Sequence, residues 1–247
     1  MATLRINCWS GPRNVSTALM RSFAQRSDTR AFDEPLYGYY LRTTGAPHPG
    51  REELIEILET DAATIIERTI LGPCDRDVMF FKQMVHHLTP ELDLGFLERC
   101  VNVLLIRDPA EVIASLVNQL PEPTMRDVGL ARQVQLFRDL TSRGQVPPVL
   151  DAKQVLLDPE GVLKTLCDRL GLEWDPAMLT WPPGPHPEDG IWAKYWYDNV
   201  QRSAGFEPYR ERSKEVPEHC RSLVEECQIY YDELLPHAIA AAPAESA

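Results

Sequence analysis

Five short apolar runs, at residues 4–8, 29–32, 78–81, 101–106 and 149–152, alternate with stretches of helical periodicity, and this alternation limits the fold most. The helical stretches cover 16–25, 52–71, 90–99, 110–119, 127–143 and 160–170. Short, mostly apolar runs of this length suit strands buried on both faces. Strand alternating with helix implies a mostly parallel sheet, right-handed crossovers and helices on both faces. The fold class is therefore α/β, a three-layer α/β/α domain. A proline-rich loop at 180–190, an aromatic segment and a final helix over 217–235 add a C-terminal helical part spanning 191–239. One domain over 1–239 is expected, with the mostly small residues 240–247 as a disordered tail. Open parallel sheets bind ligands beyond the carboxyl ends of their strands, so the residues that follow each strand are the first candidates.

Charge narrows the partners. The 247 residues carry a net charge of −12, which disfavours nucleic acid or another polyanion as a partner. A nucleotide remains open, because a few arginines can converge locally. No apolar run approaches the ~18 residues of a membrane helix, and the N-terminus reads as a short strand rather than a signal peptide. The six cysteines are scattered without a C-x-x-C pair, which suits reduced thiols in a cytoplasmic protein.

Two strand ends carry anion-binding chemistry. The first strand runs into Gly11, Pro12, Arg13, Asn14, Val15, Ser16 and Thr17 before a helix. Gly11 permits a tight or left-handed turn. Ser16 and Thr17 stand where an N-cap and first helical turn belong, and free amides there attract anions. Arg13 adds a cation with several donors. The alternative is an ordinary capped helix. A Walker A loop is excluded by spacing, since its lysine and second glycine are missing, which argues against a P-loop kinase or NTPase. The fourth strand ends in Arg107, Asp108 and Pro109, with Ser115 about two turns into the next helix. Arg107 can fork onto a phosphate while Ser115 donates a hydroxyl, or Arg107 can pair with Asp108 or Glu111.

These two stretches resemble the nucleotide motifs of the PAPS-dependent sulfotransferases. Arg13-Asn14-Val15-Ser16-Thr17-Ala18-Leu19 resembles the family's strand–loop–helix that holds the 5′-phosphosulfate, with Asn14 and Val15 where the family has Ser and Gly. Arg107-Asp108-Pro109 with Ser115 resembles its 3′-phosphate motif. A third stretch, from Val149 through Asp158-Pro159 to Leu170-Gly171-Leu172, resembles the family's strand, helix and turn, so the likeness spans residues 1 to about 180. The resemblance implies PAPS as donor, PAP as product, no metal, and a small-molecule acceptor with a hydroxyl or amine. It also implies that Arg13, Asn14, Ser16, Thr17, Arg107 and Ser115 contact the nucleotide. A non-catalytic nucleotide-binding module on the same fold is the other reading. No pyridoxal-binding lysine motif is present.

Sulfuryl transfer needs a stabilised leaving oxygen, neutralised sulfuryl oxygens and a base for the acceptor's proton. Arg13 is the candidate for the leaving group, and Lys82, at the end of the third strand, the candidate assistant. Glu34 follows the second strand in a Glu-Pro pair that resembles the base of bacterial trehalose sulfotransferase-type enzymes, and Pro35 is expected to hold it extended. His86 and His87 are the rival bases. The segment with Trp192, Lys194, Tyr195, Trp196 and Tyr197 reads as a lid on adenine or acceptor, with Trp192 against the nucleotide, or as core packing.

Overall fold

The computed structural model describes residues 3–211 and 215–242. Among them five strands form one wholly parallel sheet: β1 (Leu4–Ser10), β2 (Thr29–Asp33), β3 (Val78–Met84), β4 (Val101–Ile106) and β5 (Val149–Asp151), in the order β2-β3-β1-β4-β5. Every residue of β3 is buried, as a strand covered on both faces requires. Side chains alternate across the sheet. Ile6 and Cys8 of β1 pack with Phe80, Val103 and the helix α1 (Ser16–Ala24), whereas Trp9 packs with Phe81, Leu104 and Ile106 in the opposite core. The helices Pro109–Leu116, Leu130–Ser142 and Arg221–Leu234 cover that second face. The result is the three-layer α/β/α architecture.

The strand order points to a candidate site. The chain leaves β1 for β2 and β3 on one side, then crosses to β4 on the other. β1 is thus where the direction of winding changes, and the crevice between the β1 and β4 ends is where such sheets take ligands. A buried amide fixes that crevice: Gln133 Nε2 donates to the carbonyls of Trp9 (3.1 Å) and Leu105 (2.9 Å), one from each strand.

Several helices differ from the sequence expectation. The stretch 52–71 is not one helix. It is a helix Arg51–Ile57, a turn Ala62–Ile65 and a π-turn Ile66–Ile70. Leu58 turns extended, and Asp61 restarts the helix by accepting from the Thr64 amide at 2.7 Å. Over 90–99 only a 3-10 turn forms, Gly95–Arg99, with Asp93 accepting from the Gly95 amide. The helix expected over 127–143 breaks at Gly129, whose φ of 84° is left-handed, into Met125–Val128 and Leu130–Ser142. In the C-terminal part, Tyr231 donates to Asp151 at 2.9 Å and the Ile239 amide to the carbonyl of Val149 at 2.9 Å, which docks this part on β5. Of the tail 240–247, the amides of Ala241 and Ala242 donate to Gln154 and Asp158; residues 243–247 lie outside the described residues. All six cysteines are free, and no helix among the described residues is long and apolar enough to cross a membrane.

Candidate active site

The loop from β1 to α1 is built differently from the sequence expectation at two points. Gly11 does not supply a left-handed residue; Arg13 does, with φ 55°. Gly11 is instead a close approach, since a Cβ there would strike the carbonyl oxygen of Val128. Ser16 and Thr17 are not the N-cap. Val15 holds that position without a side-chain cap, its amide taken by Asn14 Oδ1 at 2.9 Å, and Ser16 and Thr17 form the first helical turn. Asn14 also donates to the carbonyl of Leu105 at 3.2 Å, tying the loop to β4.

Arg13, Arg107 and Ser115 come together. Arg13 Nε donates to Ser115 Oγ at 2.9 Å, and an Arg107 Nη donates to the carbonyl of Arg13 at 2.7 Å, which pins the strained backbone. Arg107 also pairs with Glu111 (3.0 Å), whose other oxygen accepts from Tyr209. The pairing with Glu111 and the meeting with Arg13 and Ser115 thus coexist. Asp108 caps the helix Pro109–Leu116 by accepting from the amides of Ala110 and Glu111. Burial lowers the Arg13 pKa below the ordinary arginine value, and the charge of Arg107 lowers it further. Two cations held together beside free helix amides and a hydroxyl are the donor set that an anionic group between them would relieve.

Across β1, the ends of β2 and β3 make a second cluster. Asp33 lies opposite Lys82 in the register of the two strands. Lys82 is buried and donates to Asp33 Oδ1 (2.8 Å), to Glu34 Oε1 and to the Tyr197 hydroxyl (2.6 Å). Tyr197 in turn donates to Asp33 Oδ2 at 2.6 Å, and the Gly190 amide donates to the same oxygen at 2.9 Å. Burial works against the Lys82 ammonium, but Asp33 and Glu34 outweigh it and hold its pKa well above the ordinary value. Burial raises the Glu34 pKa; Lys82 opposes the rise and Asp33 adds to it.

Glu34 is not extended before Pro35, as was expected. Its φ is 42°, and it and Arg13 are the two non-glycine residues with positive φ among the described residues. Proline disfavours the right-handed helical region for the residue before it but leaves this region open. Hydrogen bonds hold Glu34 there, from its own amide to the carbonyl of Lys82 and from the Tyr37 amide to its carbonyl, both 2.9 Å.

His86 and His87 do not form such bonds. His87 Nε2 stands 3.8 Å from Glu34 Oε2, and neither ring nitrogen of His87 has a hydrogen-bond partner. Burial pushes His86 down to about 3 and His87 well below its ordinary value, so both rings are neutral. Trp192 lies on the β2 side of the sheet. It packs edge-on against Tyr37 at 4.9 Å, in a cluster with Tyr40, Leu41 and Leu54, while the Arg107–Ser115 group lies on the β4 side. Asp33 was missed by sequence reasoning, although it immediately precedes Glu34 at a strand end. Tyr197 was read only as part of a possible lid; the structure ties it to both Asp33 and Lys82.

The model of the sulfotransferase domain matches residues 4–232 of this chain. The chain belongs to the sulfotransferase-domain family. It is 34% and 35% identical over 232 residues to the Arabidopsis thaliana branched-chain-amino-acid aminotransferase-like proteins 2 and 1, respectively. Those alignments cover 94% of this chain but 41% and 42% of the relatives, so the chain spans about two fifths of their length. Among solved structures, a sulfotransferase from Alicyclobacillus acidocaldarius superposes with a TM-score of 0.57 at 14% identity, over 97% of this chain and 98% of that one. The sulfotransferase domain from the curacin biosynthetic pathway superposes at 0.52 and 17% identity, over 94% and 98%. At these identities both superpositions show the shared fold.

Proposed function

We propose that this chain transfers a sulfuryl group from PAPS to a hydroxyl of a small-molecule acceptor. The observation that carries the proposal is the pairing of two clusters across β1: Arg13, Arg107 and Ser115 on one side, and Glu34 with Lys82 on the other. Arg107 and Ser115 grip the 3′-phosphate. Arg13, the amides of Ser16 and Thr17, and Asn14 cradle the 5′-phosphosulfate. Glu34 accepts the acceptor's proton as its oxygen bonds to sulfur. The bond from sulfur to the phosphate oxygen breaks, and Arg13 and Lys82 stabilise the charge left on that oxygen. Asp33 and Tyr197 position Lys82 between leaving group and base. Trp192, on the β2 side, belongs with the acceptor rather than with adenine.

Glu34 suits the base better than either histidine. Its burial makes it a stronger base than a solvated carboxylate, whereas a histidine pushed to about 3 accepts a proton poorly. The aminotransferase-like name belongs to relatives more than twice this length. In this chain the buried lysine of the site is already bound to two carboxylates. The direct test is incubation with PAPS and a broad panel of alcohols, phenols and amines, with PAP release and sulfated product followed together. Sulfated product lost on Glu34→Gln supports the reading. No product from any acceptor points to a binding module instead.

A further inference from the structure

Twelve buried side-chain nitrogen or oxygen atoms among the described residues have no hydrogen-bond partner, and four of them fall in one place. They are Nδ1 of His86, both ring nitrogens of His87 and Nε1 of Trp192. His87 is fully buried and Trp192 is 5% exposed. Their rings are in mutual contact through Tyr37 and Tyr40. Tyr37 lies 5.5 Å from His87 and 4.9 Å from Trp192, and Tyr40 lies 4.7 Å from His87 and 5.0 Å from His86. An unpaired buried polar group is costly and rare, so four gathered around Tyr37 and Tyr40, with His87 3.8 Å from Glu34, mark a place that a ligand would complete.

The chemistry of these atoms selects that ligand. Each neutral imidazole offers one N–H donor and one lone-pair acceptor, and the indole offers a donor. A hydroxyl both gives and takes, so it can satisfy either kind. An ammonium only donates and would leave the indole N–H unpaired. A carboxylate only accepts, and it would meet a site already carrying Asp33 and Glu34 against the single charge of Lys82. The surrounding Tyr37, Tyr40, Leu41 and Leu54 offer apolar walls. We infer that His86, His87 and Trp192 form the acceptor subsite, and that the acceptor is an uncharged alcohol carrying a second hydroxyl on an apolar frame. Glu34 takes the proton of one hydroxyl while the histidines and indole hold the other. The inference rests on the sulfotransferase reading for what happens to the first hydroxyl, but the binding preference is measured without turnover.

The experiment uses the full chain saturated with PAP, titrated calorimetrically with three probes of one skeleton: hexane-1,2-diol, 2-hydroxyhexanoate and 2-aminohexan-1-ol. The diol should bind at least tenfold more tightly than the anionic and cationic probes. His87→Phe, which keeps a ring in place, should remove most of that preference and leave PAP affinity unchanged. Trp192→Phe removes the N–H alone and should weaken the diol several-fold; it serves as the second variant should His87→Phe fold poorly. Equal or tighter binding of either charged probe, or no binding of any of the three, overturns the inference. Loss of PAP binding in the wild-type chain defeats the sulfotransferase reading instead. The three probes are then compared on the free chain, where the same ranking sustains the subsite and any other overturns it.

Discussion

Glu34→Gln should kill turnover while leaving the fold intact, and Lys82→Met should do much more damage to stability. Two carboxylates share one ammonium in the buried cluster. Removing the Glu34 charge leaves Lys82 bound to Asp33 at 2.8 Å and to Tyr197 at 2.6 Å, a balanced pair with no orphaned ion. The stability change should therefore stay within about 1 kcal/mol, or roughly 2–4 °C in Tm for a chain of this size. Removing the ammonium instead leaves Asp33 and Glu34 buried beside each other, at a cost of about 3–5 kcal/mol, and Tm should fall on the order of 10 °C. A general base is worth about 10²–10⁴ in kcat, and Glu34→Gln should cost that much. Scanning calorimetry on both variants, with kcat from PAP release, gives both numbers. If Glu34→Gln keeps near wild-type turnover, the base is misassigned. If Lys82→Met melts with the wild type, the charge accounting in this cluster is wrong.

Other outcomes follow from the remaining groups. PAP should raise Tm more than AMP does, because tighter binding stabilises by mass action, and Arg107→Ala should erase most of the difference; equal shifts in the wild type would remove the 3′-phosphate site. Arg13→Ala should lower kcat by roughly 10²–10³ with a smaller effect on PAP affinity, and turnover should persist in EDTA, since the proposed reaction draws its cations from Arg13 and Lys82. Acid should destabilise the fold through His86 and His87. Their folded pKa values lie below the unfolded value of about 6.5, so their stabilisation is complete above that pH and is lost as pH falls through the window down to about 3 for His86. The slope approaches about 1.4 kcal/mol per pH unit for each ring. Glu34, with a raised pKa, acts in the opposite sense, and Lys82, His48, Arg126 and Asp127 also bear on these rings, so the measurement is the difference between wild type and His87→Phe from pH 7 to 5. Parallel curves would refute it.

The sheet was legible because its strands are largely buried on both faces and write themselves as short, mostly apolar runs. The helices were less so. Asp61 and Gly129 each break a periodic pattern by a local hydrogen bond or a left-handed turn, and periodicity is blind to both. Arg13 and Arg107 were readable because each sits within a few residues of a strand end, and Ser115 because it falls about two turns into the helix that follows. Their mutual contact, across 102 residues for Arg13 and Ser115, was not. Nor was the backbone of Glu34, where hydrogen bonds on both sides choose the region that proline leaves open. Tyr197 meets Asp33 across 164 residues, which no local pattern announces.

That last contact has a consequence for the order of assembly. All five strands are present once residue 151 has been made, and the sheet can close with the Lys82 ammonium still in water. Gly190 and Tyr197 close over the cluster only after the strands are made, so the interior of the site is dried after the sheet. A segment added after the sheet is also one that can detach from it. Amide hydrogens over 190–201 should exchange through openings far less costly than those that release β1, β3 and β4, and Tyr197→Phe should make them cheaper still without touching the sheet. Equal protection in both regions would mean that segment and sheet open only together.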